Sequence, residues 1–438
     1  TQIGQLSATQ LQSLTSQQIS NLSTSAIGNL SAAQAKLLSV NQLKGVTTAG
    51  VAVLSSNFLN ALSATQIGGL STDQTQAISS SVAGSLALAS LKLLSTSQVQ
   101  SLTSSVMNAL STSQVQGLTT AQVRALTSGT VGALSSTNLR ALTTGQIQAI
   151  AGSNLSALST ANVQLLQTSQ TAALTGTQLS DLSTTNFRAL STTQFSALTN
   201  NQIASLTSAE VQAMSVDQLN SITTKQLVDL STAAVAALSS TQVQGLKTST
   251  LNAMSVTQIR AMETEDFRAL GTSNITALSE SQIRNMETAD LAAFSDAQIT
   301  KLNNTQIGAL SPAGINALSS SQVGSITTDQ ISSLTNSAVG ALSSDQAGAL
   351  SAAKINLLTA TAIKGLSSAV VANLTSTQVS GFSTDTLKAL NPAQVKNLSA
   401  TAFAAIGTTE FGALNALQID ALQTAQVNAL KTTQVSVL

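Results

Sequence analysis

Leu190–Leu198 reads LSTTQFSAL, and the same phrase returns as LTSAEVQAM at 206–214 and as MSVDQLNSI at 214–222. When residues are numbered modulo eight, position 6 is apolar in all 55 octads and is Leu in 43 of them. Position 3 is nearly as strict and is mostly Ile, Leu or Val. No insertion or deletion shifts this phase, so the eight-residue unit decides the fold.

A period of eight fits neither a continuous helix nor a regular strand. Eight residues of α-helix advance by about 800°, so the apolar stripe would drift by about 80° in every repeat. Apolar residues separated by three and five do not alternate as a half-buried strand requires. We therefore predict an all-α solenoid of very short helices, one for each octad. The alternative is a β-solenoid with two or three octads per coil.

Capping signals in each octad favour the helical reading. Position 7 is mostly Ser or Thr, and position 2, three residues later, is most often Gln, which together form a capping box. In the opening stretch, Ser191 would cap the helix and Gln194 would reach back to it. Leu190 would then contact Phe195 as a hydrophobic staple. The pattern predicts a helix start at every position 7.

Proline, charge and glycine support the same boundaries. Pro312 and Pro392 both occupy position 8, the first helical position after the cap, where proline is best tolerated. Fourteen of the 17 acidic residues lie at positions 7, 8, 1 or 2, and twelve of the 17 basic residues lie at position 4. This sorting matches the helix dipole. Glycines at positions 4 and 5 would help the chain turn and let neighbouring backbones approach closely.

A single octad buries too little apolar surface to fold alone, so neighbouring octads must share a core. We expect positions 3 and 6 to point inward, and Ser, Thr and Gln to cover the exterior. The expected domain organisation is one continuous array of about 55 octads over residues 1–438, without an internal boundary. A more charged variant zone spans about residues 210–301. The number of octads per superhelical turn stays open.

Composition excludes most kinds of chemistry. Charged residues make up only 8% of the chain, basic and acidic residues balance at 17 each, and His and Cys are missing. Histidine-based catalytic triads and the usual zinc sites are therefore excluded, and no net charge attracts nucleic acid. No apolar run is long enough to span a membrane. We predict a non-enzymatic protein with no catalytic, cofactor-binding or metal residues.

Two weaker patterns match known kinds of site. Glu263, Glu265 and Asp266 could hold a hard cation such as calcium, although acids at a helix start explain them better. Asn21, Asn29 and Asn274 begin Asn-X-Ser/Thr triplets, the acceptor pattern for N-glycans.

The octads resemble the repeat tracts of very large bacterial secreted and cell-surface proteins of the haemagglutinin-like or adhesin-like kind. The resemblance rests on TTAQVRAL at 119–126, STTQFSAL at 191–198 and TAQVNAL at 424–430, and the pattern covers the whole chain. It implies an extracellular or cell-surface location and a stalk or filament role. It carries over no binding residue.

We therefore expect a structural protein, an extracellular stalk, spacer or filament-forming rod. The alternative is a binding module that presents a solenoid face to a glycan, another protein or ice. Neither end of the chain carries an atypical polar repeat, so we expect either continuation in a longer chain or self-association, end to end or laterally.

Overall fold

The computed structural model describes residues 2–437, and within that range every regular element is helical. One short helix forms in each octad, as the capping pattern predicts. In the opening stretch, Ser191 is the N-cap and the helix runs over Thr192–Ser196. The all-α prediction is confirmed. The β-solenoid alternative is wrong for the described residues. Position 7 has extended backbone, as at Ser191 with φ −74° and ψ 161°, but a helix starts at position 8 of each octad, so the extended stretch does not become a strand.

The chain divides into two compact units, Thr1–Asp229 and Leu230–Leu438. The eight-residue phase is the same in both.

The first unit opens with a 3-10 helix over Gln2–Gln5. Its α-helices have four to six residues each and are α1 Ala8–Gln12, α2 Ser16–Ser20, α3 Thr24–Gly28, α4 Ala32–Ala35, α5 Val40–Lys44, α6 Thr48–Ala52, α7 Ser56–Ala61, α8 Ala64–Gly68, α9 Thr72–Gln76, α10 Ser80–Ala83, α11 Leu88–Lys92, α12 Thr96–Ser101, α13 Ser104–Ala109, α14 Thr112–Gly117, α15 Thr120–Arg124, α16 Ser128–Gly132, α17 Ser136–Ala141, α18 Thr144–Ala149, α19 Gly152–Leu155, α20 Thr160–Leu165, α21 Thr168–Ala173, α22 Gly176–Ser180, α23 Thr184–Ala189, α24 Thr192–Ser196, α25 Asn200–Ala204, α26 Ser208–Ala213, α27 Val216–Leu219 and α28 Thr224–Leu227.

The second unit repeats the same pattern. Its helices are α29 Thr232–Ala236, α30 Ser240–Gln244, α31 Thr248–Ala253, α32 Val256–Arg260, α33 Thr264–Ala269, α34 Thr272–Ala277, α35 Glu280–Arg284, α36 Thr288–Ala292, α37 Asp296–Ile299, α38 Asn304–Gly308, α39 Pro312–Ala317, α40 Ser320–Ser325, α41 Thr328–Ile331, α42 Asn336–Gly340, α43 Ser344–Gly348, α44 Ala352–Ile355, α45 Ala360–Gly365, α46 Ser368–Ala372, α47 Ser376–Ser380, α48 Thr384–Ala389, α49 Pro392–Asn397, α50 Ala400–Ala404, α51 Thr408–Phe411, α52 Ala416–Asp420, α53 Thr424–Asn428 and α54 Thr432–Val435.

Reciprocal caps start most helices. At α24 the Ser191 hydroxyl accepts a hydrogen bond from the Gln194 N–H, while Gln194 Oε1 accepts one from the Ser191 N–H at 2.8 Å. Pro312 and Pro392 are the first residues of α39 and α49, as predicted. A helix of five residues satisfies few of its own backbone groups, so the cap supplies a large share of its hydrogen bonds.

Glycine does not act as the sequence suggested at helix ends. No described glycine has a positive φ, so left-handed C-caps are not used in residues 2–437. The chain instead leaves each helix through extended backbone around position 6, as at Leu102, where ψ is 136°. Close approach is the real reason for some of these glycines. A Cβ on Gly45 would lie 2.3 Å from the Ser16 carbonyl oxygen.

The core of each unit runs along the stacked octads. Away from the two ends of the array, position 3 and position 6 side chains are mostly buried as predicted, for example Phe195 and Leu198 with 0% and 2% exposure, whereas Val427 and Val435 at position 3 are exposed. A helix contacts the helix three further along the chain, as α30 contacts α33. Position 2 is also buried, which the sequence analysis did not anticipate: Gln194 is 2% exposed. The expectation that glutamine covers the exterior is therefore wrong at this position.

Candidate functional site

The buried glutamines at position 2 join octads that are four repeats apart. Gln194 Nε2 donates hydrogen bonds to the carbonyl oxygens of Val163 at 2.9 Å and Leu166 at 2.8 Å. Those carbonyls belong to positions 3 and 6 of the octad 32 residues earlier. The same side chain therefore caps its own helix through Oε1 and ties its octad to the preceding turn through Nε2. We call this repeated contact the glutamine ladder.

The glutamine ladder recurs in both units with the same spacing. Glutamines that donate to carbonyls 31 and 28 residues earlier in the first unit are Gln42, Gln66, Gln74, Gln98, Gln114, Gln122, Gln146, Gln170, Gln178, Gln194 and Gln202. The corresponding glutamines of the second unit are Gln282, Gln298, Gln306, Gln330, Gln346, Gln378, Gln394, Gln418 and Gln426. Repeated bonds of this kind fix the register of the stack.

Asparagine at position 4 makes a second, outer link to the junction between the octads three and four repeats ahead. Asn108 Nδ2 donates to the Ala133 carbonyl oxygen at 2.6 Å, and Asn108 Oδ1 accepts from the Ser135 N–H at 2.7 Å. Asn60 makes the same pair of bonds with Ser85 and Ala87. Since links reach three and four octads along the chain, one superhelical turn within a unit takes between three and four octads.

The solvent face of each octad is formed by positions 7, 8, 1 and 4. In the opening octad these are Ser191, Thr192, Thr193 and Ser196, all exposed. Basic residues at position 4, such as Arg124 and Arg188, are exposed on the same face. This face can offer hydroxyl groups and scattered positive charges, but its residues at positions 8, 1 and 4 vary from octad to octad.

Acidic residues replace the ladder glutamine at several octads. Glu210 is 5% exposed; its Oε2 accepts from the Thr207 N–H at 2.6 Å, whereas its Oε1 is buried without a hydrogen-bond partner. Burial raises the pKa of Asp266 and of Asp290, which are 2% and 3% exposed. At these octads a carboxylate, which accepts hydrogen bonds, replaces the glutamine N–H₂ group that donates them in the ladder.

The candidate calcium ligands form hydrogen bonds and ion pairs with different residues and do not converge on one point. Asp266 lies inward and accepts from the Glu263 N–H at 3.1 Å, whereas Glu265 is exposed and pairs with Arg268 at 2.5 Å. No cluster of three or more acidic side chains in residues 2–437 has a geometry that could hold a metal ion. The acids instead occupy cap and first-turn positions of α33.

The asparagines of the N-glycan pattern differ in solvent exposure. Asn274 is 6% exposed and its Nδ2 donates to the Leu246 carbonyl oxygen at 3.1 Å, so its amide serves the stack. Asn21 and Asn29 are exposed at the ends of α2 and α3.

A small apolar cavity marks one place where the ladder is missing. Its volume is about 20 Å³, and its lining includes Leu59, Leu62 and Ser90. Ser90 occupies position 2, and the octad that contains it starts at Ala87, which cannot cap the helix. Leu59 and Leu62 are the residues whose carbonyls a glutamine at position 90 would reach.

No helix within residues 2–437 combines the length and the apolar character that a membrane crossing needs.

Neither interoctad link was predicted from the sequence, although a signal was present. Position 2 prefers Gln far more than Glu, yet either residue completes a capping box. A need for the amide N–H₂ group explains that preference. The carbonyls that receive it could not be identified, because they depend on how many octads make a turn.

Comparison with known proteins identifies the repeat. The ALTTAQ repeat model matches residues 107–136, 177–208, 243–280, 306–336 and 403–438. No curated protein matches the chain. A solved structure described as "Structure of APUM23-GGAAUUGACGG" aligns with 94% of this chain and 87% of its own at 12% identity, with a TM-score of 0.17, which carries no argument about fold. The chain is therefore a repetitive protein, and five of its segments match the ALTTAQ repeat model.

Proposed function

We propose that the chain is a non-enzymatic structural protein, an extracellular stalk, spacer or filament-forming rod of a bacterial cell surface. The observation that carries this proposal is the glutamine ladder. In the ladder, the most regular polar side chain of the repeat holds octads together instead of forming a site. The extracellular location rests on the resemblance of the octads to tracts in bacterial surface proteins.

The ladder suits a load-bearing role. Each ladder glutamine is buried, and it donates two hydrogen bonds to the preceding turn. Without these bonds, only the stacking of the octads would hold the two turns together. A pull along the stack would therefore be resisted by many equivalent hydrogen bonds as well as by the apolar core. Repeat arrays distribute stability in this way, because each repeat interacts mainly with its neighbours.

The ladder also defines how further octads would join the array. Gln10 and Gln18 have no octad four repeats earlier in this chain, and the carbonyls of the last four octads receive no ladder glutamine among the described residues. In register, Gln10 Nε2 would donate to the Ile419 and Leu422 carbonyl oxygens of a preceding array. This complementarity suits continuation in a longer chain and end-to-end self-association equally.

Negative-stain microscopy and sedimentation of the purified chain over a concentration series test the proposal. Extended particles that associate as the concentration rises support it. The double variant Gln10→Glu/Gln18→Glu is the matched control, because its carboxylates cannot donate to carbonyls and end-to-end association should weaken. Compact particles, or saturable binding to one glycan in an array of glycans, would favour a binding module instead.

A further inference from the structure

Two octads of the second unit depart from the repeat in the same way. Residues 263–270 read ETEDFRAL and residues 287–294 read ETADLAAF. Each begins with Glu where the repeat has Ser or Thr, and each carries Asp at position 2 where the ladder has Gln. They are three octads apart, and their helices α33 and α36 are in contact. The two substitutions therefore meet in one layer-to-layer contact of the stack.

The buried aspartates replace the ladder with weaker contacts. Asp266 Oδ1 accepts from the Ser240 hydroxyl at 3.4 Å, and its Oδ2 accepts from the Glu263 N–H at 3.1 Å. Asp290 Oδ1 accepts from the Thr264 hydroxyl at 2.9 Å. An aspartate is one methylene shorter than glutamine and, when ionised, has no donor. Neither side chain can supply the two N–H···O bonds that tie other octads to the preceding turn.

The charged groups around the pair are mainly acidic. Glu263 and Glu265 face Asp266, and Glu263 and Glu287 face Asp290. The nearby arginines are committed on the surface, where Arg260 pairs with Glu287 and Arg268 pairs with Glu265. The helices α30 and α39, which pack against α33 and α36, contain no titratable residue. Within residues 2–437, no cation therefore pairs with the buried carboxylates.

We propose that the octads 263–270 and 287–294 form a pH-sensitive weak point of the second unit, which opens locally as the pH rises and closes when its two buried aspartates are protonated. Protonation of the two aspartates is the event that closes this contact. A neutral Asp carboxyl removes a buried charge and gains an O–H donor, so it fits the site better than a carboxylate does.

The sign of the pH dependence follows from burial. Burial, as the largest cause, raises the pKa of both aspartates in the folded chain. The hydrogen bonds that they accept from Ser240, Thr264 and the Glu263 N–H oppose this rise without reversing it, and the neighbouring glutamates reinforce it. The folded octads thus bind protons more tightly than the unfolded chain does. Their stability is greatest below the ordinary Asp pKa and is lost as the pH rises through the higher folded values. This is opposite to the usual behaviour of carboxylates in salt bridges.

Hydrogen exchange of the full chain, read by mass spectrometry, tests the inference. Exchange is compared at about pH 4.5 and about pH 7.5 after correction for the intrinsic rate. We expect amide protection over residues 263–294 to fall about threefold or more at the higher pH. Residues 143–180, which contain no charged residue, should keep the same protection.

Two variants separate the aspartates from other causes. Asp266→Asn/Asp290→Asn should remove the pH dependence over residues 263–294 and hold the segment at its acidic level of protection. Asp385→Asn, at an exposed position of the same unit, should leave the dependence unchanged. Equal protection of the segment at both pH values in the unaltered chain, or a pH dependence that survives the double substitution, would overturn the proposal.

Discussion

At the scale of single residues, the glutamine at position 2 does two jobs that are usually divided. Its Oε1 satisfies a backbone N–H of its own cap, and its Nε2 satisfies carbonyls of another turn. A typical hydrogen bond adds about 0.5–1.5 kcal/mol to stability, but a buried group left unsatisfied costs about 1–3 kcal/mol. The ladder is therefore most sensitive to changes that keep the shape of glutamine and alter its donors.

Replacing Gln194 by Glu tests that sensitivity. The carboxylate keeps the cap but places an oxygen against the carbonyls of Val163 and Leu166, so we expect a local loss of about 1–3 kcal/mol. Hydrogen exchange over residues 159–198 should show faster exchange at neutral pH. The variant Thr193→Glu, which adds the same charge at an exposed position, is the control and should leave this segment unchanged.

The reverse substitution is present in the natural sequence. Glu210 has a buried Oε1 with no hydrogen-bond partner, so Glu210→Gln should supply the missing N–H₂ group. We expect a local gain of about 1–3 kcal/mol, seen as slower exchange over residues 179–214. Exchange that stays unchanged or becomes faster would show that the donor is not what this octad lacks.

The cavity beside Ser90 offers a related test. In Ser90→Gln, the new side chain would enter the apolar cavity, and its Nε2 would donate to the carbonyls of Leu59 and Leu62. The Ala87 N–H already donates to Asn60 Oδ1 at 2.7 Å, so the variant gains no cap bond there. We expect a gain of about 1 kcal/mol in the thermal or chemical unfolding of this segment. Ser90→Ala, which makes none of these bonds, should change stability little and serves as the control.

At the scale of the helix, no octad could hold its structure in isolation. Helices of four to six residues are far below the length at which a helix is stable in water. Capping boxes supply hydrogen-bond partners for backbone N–H groups of the first turn. Packing of positions 2, 3 and 6 against other octads supplies the remaining stabilisation. The charge sorting contributes in the same direction, with Asp73 in the first turn of α9 and Lys44 in the last turn of α5.

Proline scanning of α24 would test these helix boundaries. Thr192 holds the position that Pro312 and Pro392 hold in their helices, so Thr192→Pro should be neutral or slightly stabilising. Ser196→Pro places the ring near the end of the same helix, where it clashes with the preceding turn, and should cost about 3 kcal/mol. Thermal unfolding followed by circular dichroism distinguishes the two variants. Equal losses would contradict the assigned start of the helix.

At the scale of the whole molecule, equivalence of the octads should make the array tolerant to the loss or gain of one whole repeat. Deleting Ser191–Leu198 would bring Gln202 into register with the carbonyls of Val163 and Leu166, which occupy the same positions as its present acceptors. We expect the helical circular dichroism signal per residue and the melting temperature to stay close to those of the full chain.

Deleting only the four residues 192–195 is the matched comparison. It removes the ladder glutamine and a core residue, and it shifts every later octad by half a repeat against the earlier ones. Since the ladder requires spacings of 28 and 31 residues, bonds across the deletion should be lost and the melting temperature should fall. A similar fall in both deletion variants would contradict a stack of interchangeable octads.

Particular residues show how far sequence reasoning reached. Ser191, Gln194 and Phe195 take the cap, capping-box and core roles predicted for them, and the prolines mark the helix starts. These roles depend on contacts within a few residues, which the local pattern records. The inward orientation of Gln194 and the backbone contact of Gly45 with Ser16 were not predictable in detail, because both involve residues about 30 positions away.

By itself, the sequence determined that each octad forms one capped helix and which two apolar positions are buried, because those choices are made by hydrogen bonds and packing inside eight residues. Only the tertiary structure decided that a turn takes between three and four octads. That number depends on how helices of this size pack around a shared core, and it determines which carbonyls meet each glutamine. The same packing turns Asp266 and Asp290 from ordinary first-turn acids into buried ones.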